Sequence, residues 1–144
     1  MTRLVLDMAA MQEDFFAETA MIGIASSVPA YRLCWLLNQH FDINFVRDPE
    51  QNIRFKRKDI EYYFAVFQYE LPNSSHKYLL YQLKNGKETL LPETKQLDFI
   101  WLLQTACPDE DATEIARALR DIPDIQLAQI LSADQLKSIN NLLL

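Results

Sequence analysis

The sequence predicts an α+β fold: an antiparallel-rich sheet with helices packed on it, in the order α-β-α-β-β-β-β-β-α-β-α. Three observations carry this. Asn85-Gly86 separates two segments of strand-like composition, which is the pattern of a two-residue hairpin. Residues 60–71 and 97–104 place apolar side chains on both faces of an extended strand. Apolar residues recur every three or four positions elsewhere, as in helices with one buried stripe. No repeat or low-complexity linker divides the 144 residues, so 1–144 reads as a single domain.

Leu4, Met8, Met11 and Phe15 have helical spacing and predict an opening helix. Glu18 to Ser26 reads as a short buried strand. Ser27 and Pro29 suit a helix start, and the apolar stripe Ala30, Leu33, Cys34, Leu37 and Phe41 continues it to about Phe41. Ile43, Phe45 and Val46 begin a strand that Asp48-Pro49 stops. The longest strand runs from Ile60 to Leu71. It carries Ile60, Tyr62, Phe64 and Val66 on one face and Tyr63, Ala65, Phe67 and Tyr69 on the other, so it needs cover on each side.

A type I′ turn at Asn85-Gly86 would pair Tyr78–Lys84 with Lys87–Leu91, setting Tyr81 opposite Leu90 and Leu80 opposite Leu91. Leu97 to Gln104 follows as a buried strand. Asp111 and Glu114 have capping-box spacing, with Asp109 and Glu110 adding charge favoured by the helix dipole. Ile115, Leu119 and Ile122 form that helix's stripe and Pro123 ends it. Ile125 to Leu131 reads as a strand. Ser132 and Gln135 open a final helix with Leu136, Ile139 and Leu143 inward. Gly23 marks a bulge or a close backbone approach within its strand, the approach being expected from the 31–38 helix.

Composition excludes several functions. Two glycines, Gly23 and Gly86, cannot make a phosphate-cradling loop. No apolar run approaches the ~20 residues that span a bilayer, and the first residues are charged too soon for a secretory leader. A cytoplasmic location is the expectation, with Cys34 and Cys107 as buried reduced thiols. The net charge of −6 disfavours nucleic acid. The one basic run, Arg54-Phe-Lys-Arg-Lys58, suits a polyanion contact but suits a charged edge strand better. His40 lies about 240° round the helix from Cys34, so the two cannot form a nucleophile–base pair there. No His/Cys spacing suggests a metal, and neither metal nor cofactor is expected.

Leu91-Pro-Glu-Thr-Lys-Gln-Leu-Asp-Phe99 sets Glu93 and Asp98 beside an apolar strand. The pair suits general acid–base work with a raised carboxylate pKa, in a pocket shared with Arg32 and Trp35. The simpler reading is structural: Glu93 satisfies loop amides or pairs Lys95, and Asp98 caps or pairs a cation such as Arg32. This nonapeptide resembles the signature of the bacterial IPExxxVDY family. Pro92, Glu93 and Asp98 match it, while Leu91, Leu97 and Phe99 stand for Ile, Val and Tyr. Tyr31-Arg-Leu-Cys-Trp35 with Asn38, and Leu136-Lys-Ser through Asn141-Leu-Leu, are similar to further segments of that family. The resemblance, from about Ala17 to Leu144, implies one small cytoplasmic bacterial domain and no defined reaction. Phe99 lacks the phenol of the family's tyrosine.

Two functions follow as expectations. The first is a non-enzymatic protein-binding or adaptor module, homodimeric because helices crowded on one sheet face would leave the other bare. The second is an enzyme or small-ligand binder with a pocket near Glu93 and Asp98. The candidate functional residues are Pro92, Glu93, Lys95, Asp98, Arg32 and Trp35.

Overall fold

A computed structural model describes residues 15–142 and has the α+β class expected. Its strands are β1 (Thr19–Ala25), β2 (Val46–Arg47), β3 (Ile53–Arg57), β4 (Ile60–Phe64), β5 (Val66–Glu70), β6 (Lys77–Gln82), β7 (Lys84–Asn85), β8 (Glu88–Thr89), β9 (Phe99–Gln104) and β10 (Leu127–Leu131). Among the described residues its α-helices are α1 (Ala30–Phe41) and α2 (Pro108–Leu119), and Phe15 and Phe16 are also helical. Six strands form an antiparallel sheet in the order β10-β1-β9-β6-β5-β2; β3–β4 and β7–β8 are separate two-stranded ribbons.

The apolar strands take the central positions. Leu80 pairs with Trp101 and Tyr81 with Ile100, and alternation sends these pairs to opposite faces. On one face Ile22, Ile24, Leu80, Trp101 and Leu103 pack against Leu33 and Leu37 of α1 and Ala112, Ala116 and Leu119 of α2. Trp101 is enclosed edge-on by Phe41, Phe45 and Tyr78, with ring centroids 5.2, 5.2 and 5.3 Å away. On the other face Leu79, Tyr81, Ile100 and Leu102 meet Ile53, Phe55 and Phe64 of the β3–β4 ribbon, Leu90, Leu91 and Leu97, and the C-terminal Leu136, Ile139 and Leu142. Both helices do crowd on one face. The other is covered by the chain's own ribbons and loops, so the bare face that motivated a homodimer is absent: Leu79, Ile100 and Leu102 are fully buried.

Several elements depart from expectation. The 60–71 strand divides at Ala65, because its first half pairs with β3 and its second with β2 and β6. Ile60 and Tyr63 are consequently exposed rather than covered. The basic run forms β3, and the turn Lys58-Asp59 takes φ values of 52° and 63°, the two positive angles of a type I′ hairpin. At the Asn-Gly site the turn is instead Gly86-Lys87, with Asn85 opposite Glu88 and only Gly86 (φ 62°) left-handed, as in type II′. Leu90 bonds to Leu83, and Tyr81 belongs to the central sheet.

Pro29, not Ser27, occupies the N-cap position of α1, which has no side-chain cap. Helix α2 starts at Pro108, and Asp111 accepts the Thr105 hydroxyl (2.7 Å) rather than capping. Its buried stripe is Ala112, Ala116 and Leu119, with Ile115 only partly buried. Gln135 does reach back to the Ser132 N–H (3.3 Å), yet only short 3-10 turns follow, at Ala133–Gln135 and Ile139–Leu142. The opening-helix positions Leu4, Met8 and Met11, and Leu143, lie outside the described residues. Cys34 is buried but Cys107 is exposed, and both are free thiols.

Gly23 is a close approach, made by Leu97 instead of α1: a Cβ there would lie 2.5 Å from Leu97 Cδ1 and 3.0 Å from Leu131 Cδ1. Gly23→Ala is expected to destabilise by about 1–3 kcal/mol through overpacking. Urea denaturation should show Leu97→Val recovering part of that loss in the double variant, since the two sites share one space.

Candidate functional site

The Leu91–Phe99 segment enters a 3-10 turn at Pro92, where a missing N–H does no harm. The Thr94 N–H and hydroxyl donate to the Leu91 carbonyl (2.9 and 3.2 Å), and the Leu97 N–H donates to Thr94 (3.0 Å). This turn buries Leu97 against Gly23 and directs the two carboxylates to opposite ends of the segment.

Glu93 Oε1 accepts the Ser138 backbone N–H at 2.8 Å and so holds the C-terminal segment. Desolvation opposes ionisation of Glu93, but the Ser138 hydrogen bonds and the Lys137 charge outweigh it, leaving the pKa lowered. A general acid would need the opposite shift. Asp98 Oδ2 accepts the Ser26 N–H (2.9 Å), and its Oδ1 meets Lys84 Nζ at 2.9 Å. The Asp98 backbone joins the same seam, its N–H donating to Ile24 (2.8 Å) and its carbonyl accepting from Leu83 (2.9 Å). Asp98 thus ties the end of β1 to the β6–β7 junction, with Lys84 in place of the expected Arg32.

The six sequence candidates do not converge. Pro92 and Lys95 are exposed, and among the described residues no ion pair joins Lys95 to Glu93. Arg32 lies on the outer side of α1, its guanidinium 5.3 Å from the centre of the Trp35 ring. A cleft of about 210 Å³ lies between Ser27 and Lys84 and includes Asp98, but not Glu93, Arg32 or Trp35. Among the described residues no group of three or more His, Cys, Asp or Glu could hold a metal. Cys34 is buried and donates to the Phe45 carbonyl (3.2 Å), and burial pushes its thiol pKa up, away from a nucleophile's needs.

Three structural partners escaped the sequence reading. Ser138 and Lys84 complete the carboxylate contacts from 45 and 14 positions away, a relation that no local pattern encodes. Asn38 clamps the Phe45 backbone through both amide atoms (2.7 and 3.2 Å), holding the chain beyond α1. Tyr31 was legible: it lies four residues from Trp35 and off the Leu33–Leu37 stripe.

With this geometry in hand, comparisons with protein-family models, curated proteins and solved structures find no significant match. No helix among the described residues is long and apolar enough to cross a membrane.

Asp98→Ala is expected to lower stability by about 1–3 kcal/mol, because the Ser26 N–H loses its acceptor. For Glu93 the lowered pKa means that the folded state favours the ionised form. Its contribution is present above the unfolded pKa of about 4.3 and fades as pH falls through the lower folded value. Denaturation of wild type and Glu93→Gln should therefore differ at neutral pH and converge in acid.

Proposed function

We propose that the chain is a non-enzymatic protein-binding module whose contact surface is the outer face of α1. The observation behind this reading is the exposed group Tyr31, Arg32 and Trp35. Tyr31 is 75% and Trp35 52% exposed, on consecutive turns of one helix, with Arg32 stacked on the indole. Tyr, Trp and Arg are the residues most enriched at binding hot spots, and a helix presents them with little conformational freedom to lose. The opposite stripe, Leu33, Cys34 and Leu37, anchors that helix to the core, so the aromatic face is spare to the fold.

The small-ligand alternative has less behind it. Its carboxylates are engaged separately by Ser138 and by Ser26 with Lys84, and the cleft at Asp98 is smaller than the ~300–1,000 Å³ of ordinary ligand sites. Under the present reading the likeness of 91–99 to the IPExxxVDY signature belongs to the scaffold. The free thiols accord with a reducing cytoplasm.

Affinity capture from native lysate tests this with three proteins side by side. Tyr31→Ala/Trp35→Ala is expected to lose its bound partner at least ~10-fold while melting within a few degrees of wild type, since both side chains are exposed. Glu93→Ala/Asp98→Ala should melt earlier yet retain the partner while folded. Partner binding that survives the aromatic double variant, or disappears with the folded carboxylate variant, overturns the assignment.

A further inference from the structure

We infer that β10 is a self-pairing edge, through which two copies of this chain join their sheets in antiparallel fashion about a two-fold axis at Gln129. The two edges of the six-stranded sheet are built differently. At one, β2 is two residues long, carries Arg47 and runs into Asp48-Pro49, devices that discourage pairing. At the other, β10 is Leu-Ala-Gln-Ile-Leu, with no charge, no proline and no bulge-forming glycine. Among the described residues it pairs with β1 alone. Leu127 is 37% and Ile130 46% exposed.

The direction of the free edge follows from Arg120. Its Nε and Nη2 donate to the Ala128 carbonyl at 3.2 and 3.0 Å, and Ile24, the register partner of Ala128, gives its own carbonyl to Asp98 on the β9 side, so Ala128 faces away from β1. Backbone alternation then turns the N–H and C=O groups of Ala128 and Ile130 outward, and those of Leu127, Gln129 and Leu131 toward β1. An incoming strand finds two donors and the Ile130 carbonyl as acceptor. The Ala128 oxygen already accepts both Arg120 N–H groups, so the incoming N–H takes the place of one of them.

The occupant that fits is a second copy, because the segment is self-complementary about its centre. Two-fold pairing at Gln129 sets Ala128 opposite Ile130, small against large, and Leu127 opposite Leu131, with Gln129 meeting its own counterpart. Beside Leu131 lies a cleft of about 420 Å³ lined in part by Ile130, Leu131 and Ala133. The same pairing carries the exposed Leu127 of each copy to the mouth of the other's cleft. A five-residue strand contact stays below the ~800 Å² per partner of a standard stable interface, so the dimer is weak and concentration-dependent. Asp124 and Asp134 flank the strand in each copy, so added salt strengthens association by screening them. This surface is distinct from the α1 face.

Cross-linking of the full chain tests the register directly. In a Cys107→Ser background, which removes the exposed thiol, Gln129→Cys brings two Cβ atoms to about 4.5–5.5 Å across the axis, near disulfide range after slight adjustment. It is expected to form a covalent dimer on mild oxidation, whereas Gln126→Cys, outside the paired strand, is not. Sedimentation equilibrium should show wild-type dimer rising with concentration and with salt. Ile130→Lys, at an exposed position, should weaken the dimer at least about tenfold without changing the melting curve. Trp35→Ala should dimerise as wild type does, which separates this inference from the α1 reading. Equal cross-linking of the two cysteine variants, or a wild type that stays monomeric at the highest attainable concentration, overturns it.

Discussion

The central strands β9 and β6 are apolar on both sides, and the rest of the molecule is a solution to covering them twice. Phe99–Gln104 is buried at five consecutive positions, so neither face can meet water. The two helices supply one face. Neither of them reaches the other, and among the described residues it is covered by Phe15 and Phe16, the β3–β4 ribbon, the loop residues Leu90, Leu91 and Leu97, and two turns of 3-10 helix. Burying two faces with 144 residues leaves little slack, which explains why so many single contacts join distant parts of the chain.

The non-helical layer needs pins, because its short elements have few internal hydrogen bonds. The buried Tyr81 hydroxyl donates to the Leu142 carbonyl (2.8 Å), and Asn141 donates to Leu90 (2.7 Å). Burial pushes the Tyr81 pKa up, so this donor keeps its proton. Glu93 adds the Ser138 contact at the same seam. The nonapeptide 91–99 is thus a joint: Glu93 holds the C-terminal cover, Leu97 fills the space left by Gly23, and Asp98 ties β1 to the β6–β7 junction. Two carboxylates five apart look like acid–base chemistry in the sequence. In space they face different partners.

Local chemistry made some elements legible and misplaced others. The stripe Leu33, Cys34 and Leu37, the continuous apolarity of 99–104 and the spacing of Ser132 and Gln135 each mark real features. Asn85-Gly86 announced a hairpin but not its register. A positive φ is available at Gly86 whether it stands first or second in the turn, and the bond between Leu83 and Leu90 selects the former. Conversely, Lys58-Asp59 makes a type I′ turn with no glycine, because pairing of Ile53–Arg57 with Ile60–Phe64 leaves only two residues to reverse the chain. The break at Ala65 had no local signal, since alternation continues across a change of sheet.

By itself the sequence determined the class of fold, the inward stripe of α1 and the central place of the doubly apolar strand, because periodicity and apolar length are properties of neighbouring residues. Only the tertiary structure decided which segments cover the second face and which cation meets Asp98. It also decided that β10 ends the sheet. Those outcomes depend on partners many residues apart. Such pairings are selected by the volume left between packed layers and by which backbone groups still lack a partner, and neither quantity exists until the chain has closed on itself.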